Sequence, residues 1–113
     1  MAYGVSVRLL AEEVRTLAFG AIGAGYVGVG TAIENPARMI LIQNLTDENM
    51  MFSLNGVTDH FAMLEQSQMI LDITSNKTIE QGFYLAEGQR LYVRQLAAPG
   101  SGAVYLSVFY GRD

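Results

Sequence analysis

The sequence predicts an all-β fold: a single-domain β-sandwich with about eight short antiparallel strands, a small jelly roll being one arrangement open to it. Three observations carry this. Twelve glycines against two prolines separate short apolar runs. Within the runs, apolar residues recur mostly at every second position, the period of a half-buried strand. Turn residues return about every ten positions, too often for a bundle of long helices. The length, 113 residues, suits one domain, since halves would be too small for a core. Charged residues make up 16% of the chain, below the usual share of roughly a quarter, so a folded chain is expected.

Residues 5–19 fit two patterns. Leu10, Val14 and Leu17 stand at helical spacing; Val14, Thr16 and Ala18 stand at strand spacing. The glycine punctuation favours two strands, 5–10 and 14–19, with Glu12-Glu13 as a tight turn between them. Residues 20–30 hold so many glycines that both helix and strand are weakened, so an irregular extended segment anchored by Tyr26 and Val27 is expected. Asn35-Pro36 marks a turn. Residues 1–30 therefore read as N-terminal strands plus a glycine-rich arm, and 31–113 as the sandwich, one domain overall.

Residues 38–43 form a strand apolar on both faces, hence central. Asn44 to Asn49 is a polar turn whose side chains can bond local backbone. Residues 50–54 and 57–63 are partner strands, and Asn55-Gly56 between them reads as a two-residue type I′ hairpin tip. Residues 68–73 alternate, with Met69, Leu71 and Ile73 on one face. Residues 74–82 form a polar loop, 83–85 a short strand and Glu87-Gly88 a turn. Leu91 and Val93 lie in a strand, and 103–110 closes the chain with Val104, Leu106, Val108 and Tyr110 on one face. The expected core is Ile40, Ile42, Phe52, Leu54, Leu71, Ile73, Leu91, Val93, Val104, Leu106 and Val108.

No chemical constellation emerges. Without cysteine there are no disulfides, thiolate metal sites or Cys nucleophiles. The single histidine, His60, follows Asp59, but no G-x-S-x-G elbow accompanies it; a hairpin histidine bonded to a neighbouring strand or to Asp59 is the plainer reading. Gly23-Ala-Gly25-Tyr-Val-Gly28 matches G-x-G-x-x-G, and Asp47 follows at a suitable distance. Gly30, β-branched residues and Pro36 leave no room for the helix that must meet a pyrophosphate, so a close-packed glycine loop is favoured. The carboxylates fall mostly in turns, with no calcium-loop spacing; a loop calcium near Asp47 or Asp59 is the weaker alternative. Asn44-Leu-Thr46 and Asn76-Lys-Thr78 fit a glycosylation pattern by chance. No catalytic residue, cofactor or metal ligand is expected. The net charge of −4, with six Arg and one Lys, argues against nucleic acid as a partner. No apolar run approaches the ~18 residues of a membrane span, and Met1-Ala-Tyr-Gly-Val lacks the features of a signal peptide.

The second faces of the strands are more informative. Arg90, Tyr92 and Arg94 alternate with Leu91 and Val93; Tyr105 and Phe109 alternate with the buried set of the last strand. Arg and Tyr are enriched where proteins meet proteins, and guanidinium makes planar contacts with carboxylates. These five residues, with Tyr26, are the candidate protein interface. An aromatic carbohydrate-binding face is the alternative.

The runs Arg38 to Asp47, Phe52 to His60, Leu71 to Lys77, Glu87 to Arg94 and Gly102 to Gly111 together resemble small β-rich virion proteins of tailed bacteriophages. The resemblance spans roughly residues 14–111 and rests on turn and strand patterns. It implies a capsid decoration (cement) protein first, or a head–tail connector, neck or tail component, and no enzymatic activity. It implies as partners copies of the chain in a homo-oligomer and other virion proteins, the major capsid protein or connector. The location it implies is the virion, assembled in the bacterial host cytoplasm. In such a setting residues 1–5 and 20–30 are candidate arms that find order on a neighbour.

Overall fold

A computed structural model of the chain describes residues 8–72 and 88–112. The expectations for residues 1–7, Ile73, loop 74–82 with its Asn76 pattern, strand 83–85 and Glu87 lie outside them. The described strands are β1 (Arg8–Ala11), β2 (Arg15–Ala18), β3 (Val27–Gly28), β4 (Met39–Asn44), β5 (Met50–Ser53), β6 (Phe61–Met63), β7 (Ser67–Asp72), β8 (Tyr92–Gln95) and β9 (Ala103–Arg112). A single 3-10 turn, Phe19–Ala21, is the one helical piece among the described residues.

The strands form two antiparallel sheets. In the first, β1 and β2 lie end to end along β9, followed by β4 and β7; the second has the order β3-β8-β5-β6. Between the pairs Ala11↔Phe109 and Arg15↔Leu106, residues 12–14 face only Ser107 and Val108. Glu12-Glu13 is therefore a β-bulge inside one strand line, not a turn between two strands. With β1 and β2 counted as one bulged strand, the successive antiparallel pairs are β1/β2 with β9, β3 with β8, β4 with β7 and β5 with β6. This is one long hairpin ribbon rolled up so that β9 also meets β4 and β8 also meets β5. The strand order is that of a jelly roll.

Alternation places the core between the sheets. Ile40, Ile42, Val104, Leu106 and Val108 point inward from one sheet; Met50, Phe52, Met63 and Val93 answer from the other. Phe52 is fully enclosed and stacks on Phe61 with ring centroids 5.3 Å apart. Burying a side chain of this size contributes about 1.5–3 kcal/mol. Loop residues Ile22, Val29, Ile33 and Ala37 close the core's open end.

Two expected core positions differ. Leu54 is half-buried at the margin, packed against the core. Leu71 is 37% exposed. It lies near the far end of β7, while β6, at the corresponding edge of the second sheet, is only three residues long. Met69 still reaches the core, but little covers Leu71 among the described residues.

The hairpin tip also differs. The register Phe52↔Phe61 leaves residues 54–60 as the connection, not Asn55-Gly56 alone. Gly56 has φ +77°, but Asn55 is not in the left-handed region, so the turn is not type I′. Side chains replace the ladder here. Asn55 Oδ1 accepts the Val57 and Thr58 amides, each at 2.8 Å, and His60 Nδ1 accepts the Leu54 amide at 2.9 Å. Val57 consequently stands in solvent, 82% exposed, outside any strand.

The glycine-rich segment is ordered on its own chain rather than awaiting a neighbour. Ile22 and Val29 are buried, Val29 N–H donates to Leu91 O at 2.7 Å, and Gln95 N–H donates to Gly23 O at 2.9 Å. The segment makes no helix at its G-x-G-x-x-G glycines; Gly28 is instead part of β3.

Candidate interaction faces

The outer face of the four-stranded sheet gathers four of the sequence-predicted residues. Arg90 and Tyr92 point outward beside the glycine-rich segment. Arg90 Nε donates to Gly30 O at 2.7 Å, and its guanidinium carbon lies 5.7 Å from the Tyr92 ring centroid, within cation–π range. A side chain at Gly28 would collide with that guanidinium, the Cβ falling 2.2 Å from its carbon. Glycine at 28 is thus what lets Arg90 lie across the backbone. At Gly56 the space is tight rather than closed, with the Tyr92 ring 3.3 Å from an added Cβ, and its φ of +77° is what favours glycine.

Arg94 and Tyr26 meet at Asp59. Arg94 Nε and Nη2 donate to the two Asp59 carboxylate oxygens at 3.3 and 2.9 Å, and Tyr26 Oη donates to Asp59 Oδ1 at 2.5 Å. The Arg94 guanidinium also stands 5.7 Å from the Tyr26 ring centroid. Hydrogen bonds from Arg94, then from Tyr26, hold the Asp59 carboxyl below its ordinary pKa. Partial burial, then the Asp59 hydrogen bond, pushes the Tyr26 phenol up. The Asp59 hydrogen bond, then that of Tyr26, raises Arg94. The group is largely in solvent, where such pairs contribute little net stability. Its effect is to tie segment 20–30 to the loop after β5. The carboxylate that Arg94 grips belongs to its own chain.

Tyr105 and Phe109 lie elsewhere, on the outer face of the five-stranded sheet, pointing away from the Arg–Tyr face. The six predicted residues therefore form two faces, not one patch. The registers place Tyr105 beside Thr16 and Gln43, and Phe109 beside Ala11 and Met39. Leu41 and Ile70 fill the row between, Ile70 being 60% exposed. Sequence reasoning missed this extension. The signal was available, because Met39 and Leu41 are the second apolar face of the strand read as central.

A third feature went unseen. The β1–β2 bulge turns Glu12 and Arg15 inward, where their side chains are 4% and 7% exposed and bonded at 2.8 Å. Arg15 also donates to the carbonyls of Thr31, Ala32 and Glu13. Glu12 accepts from the Glu34 and Asn35 amides and from Asn35 Nδ2. Burial pushes the Glu12 carboxyl up, but hydrogen bonds from the Asn35 side chain, the Glu34 amide, Arg15 and the Asn35 amide outweigh it and leave the pKa lowered. The clamp lies beside an open cleft of about 510 Å³ lined also by Glu13, Thr16, Thr31 and Tyr110. Charges inside an otherwise apolar run were the only sequence hint.

The minor motifs resolve into structural roles. Asn44 is fully buried, so its glycosylation pattern is inaccessible in the fold. Asp47 Oδ1 accepts the Gly100 amide. Among the described residues no three His, Asp or Glu side chains converge as metal ligands.

No family model matches the chain. No curated protein matches it. A solved structure from the work "Bacillus endospore appendages form a novel family of disulfide-linked pili" is similar over 100% of this chain and 96% of that one, at 10% identity and a TM-score of 0.48. At that level it bears on neither function nor partner.

Proposed function

We propose that the chain is a non-enzymatic structural protein of a tailed-bacteriophage virion, a capsid decoration subunit that contacts copies of itself and the major capsid protein. The observation that supports this best is the outer face of the five-stranded sheet. Tyr105 and Phe109 stand there beside Met39, Leu41 and the exposed Ile70. A broad apolar face with aromatic anchors has the composition of a protein contact rather than of a small-molecule pocket. The virion setting and assembly in the host cytoplasm rest on the sequence resemblance. The jelly roll is compatible with it, since viral capsid and lectin domains both use that fold, which by itself fixes no function.

The test is uptake of purified protein by phage heads that lack it, followed by particle imaging and native mass measurement. Wild-type protein is expected to appear as repeated density over the head. Tyr105→Ala with Phe109→Ser is expected to reduce uptake by more than about tenfold, since interface anchors commonly contribute about 2 kcal/mol or more each. Uptake unchanged by that pair but lost with Tyr92→Ala and Arg94→Glu would move the contact to the opposite face. Density confined to the neck would replace decoration with a connector role. Absence from particles, or oligosaccharide binding lost with Tyr92→Ala, would overturn the proposal.

A further inference from the structure

Asn55-Gly56 lies in the exposed connection after β5. Glycine offers no side chain to hinder attack by its own amide nitrogen on the preceding carboxamide. In that reaction the Gly56 N–Cγ bond forms and the Cγ–Nδ2 bond breaks. The amide proton of Gly56 passes through solvent to the departing group, which leaves as ammonia. Water then opens the cyclic imide at either carbonyl, giving Asp or isoaspartate at 55. No oxidant or reductant is required.

We infer that Asn55 is a latent deamidation site that the fold holds shut, chiefly through Ser53. The nucleophile is occupied, because Gly56 N–H donates to Ser53 Oγ at 2.9 Å. The electrophile is also fixed. Ser53 Oγ donates to Asn55 Oδ1 at 2.9 Å, the Val57 and Thr58 amides donate to the same oxygen, and Asn55 Nδ2 donates to Thr58 Oγ1 at 3.3 Å. Attack requires the carboxamide to leave this network and the Gly56 amide to lose its acceptor. Ser53 is buried while Asn55 is exposed, so the restraint is rigid and the reacting group has water beside it.

The product is consequential in place. Gly56 packs against the Tyr92 ring, and Asp59 of the same loop binds Arg94 and Tyr26. Deamidation adds one negative charge to a chain of formal net charge −4, on the loop that supports the Arg–Tyr face. Isoaspartate also lengthens the backbone at that point. The inference is independent of what the chain assembles with.

The experiment is peptide mapping of the purified full chain after incubation at mildly alkaline pH, reading amide-to-acid conversion and isoaspartate at Asn55. The native protein is expected to convert at least about fivefold more slowly than the urea-unfolded chain, the factor one ordinary hydrogen bond supplies. Ser53→Ala is expected to speed native conversion by about the same factor. Thr58→Val, at an exposed position, is expected to give a smaller acceleration and decides the matter if Ser53→Ala fails to fold. A native chain that converts as fast as the unfolded one would overturn the inference. So would folded variants that keep the wild-type rate.

Discussion

Replacing Asn44 by alanine removes a buried side chain that links the turn at Thr46 and Glu48 to the end of β6 at Met63 and Leu64. Asn44 is fully buried. Its Nδ2 donates to Glu48 O at 3.1 Å, Met63 O at 3.2 Å and Leu64 O at 3.1 Å, while Oδ1 accepts Thr46 Oγ1 at 2.6 Å and Thr46 N at 3.2 Å. After truncation the Thr46 hydroxyl can turn to Glu48 O, 2.9 Å away, and Leu64 O keeps the Ser67 hydroxyl as donor. Met63 O and Thr46 N lose the side-chain partner that Asn44 gives them inside the fold. Each unsatisfied buried group costs about 1–3 kcal/mol, so a loss of roughly 3–4 kcal/mol is expected. Urea unfolding followed by circular dichroism should show the midpoint falling by about 2–3 M at an ordinary slope for a small domain. Asn44→Asp should be worse than alanine at neutral pH, because a carboxylate cannot donate to those carbonyls. A loss below about 1 kcal/mol for Asn44→Ala, or an aspartate variant as stable as wild type, would refute the reasoning.

Two further outcomes follow from the strand junctions. Glu12→Gln is expected to cost roughly 2–3 kcal/mol at neutral pH, less than the loss of a whole buried pair because Arg15 keeps its carbonyl partners. Since folding lowers the Glu12 pKa, its contribution is complete above the ordinary value of 4.5 and disappears as the pH falls through the lower folded value. Stability curves of variant and wild type should converge on acidification, and a gap that stays constant would sink the idea. Gly102→Ala is expected to destabilise by about 2 kcal/mol or more, because the residue has φ +93° and an added Cβ would lie 2.0 Å from Leu45 O. Thermal melting would read this directly, and an unchanged midpoint would contradict the packing described for that turn.

What was legible in the sequence is what depends on local periodicity. Ile40 and Ile42 in β4, and Val104, Leu106 and Val108 in β9, alternate inward because one face of each strand is buried. The hairpin after Met50 was legible as a pairing, but its tip was not. Ser53, Asn55 and His60 supply acceptors that compete with ladder hydrogen bonds, so the apolar Val57 no longer marks a strand. The bulge at Glu12-Glu13 was hidden because both its flanking strands pair with β9, far away in sequence. The same holds for the candidate faces. That Arg90 lies on Gly28 and Gly30, that Arg94 meets Asp59, and that Tyr105 faces away from Tyr92 are all set by which strands neighbour in the rolled ribbon.

The pairing of β1 and β2 with β9 dictates when the molecule can be completed. Leu10 is opposite Tyr110, so the sheet holding Ile40 and Ile42 lacks an inner strand until β9 has been made, about a hundred residues after β1. Joining segments so far apart incurs loop-closure entropy before the contacts repay it, which places such topologies among the slower folders, in the millisecond-to-second range. A ribosome-bound chain ending before β9 would expose β4 along one edge and leave β1 and β2 without their ladder. The first sheet accordingly closes only once β9 has been made, and a truncation before that strand would leave β1 and β2 without a partner as well.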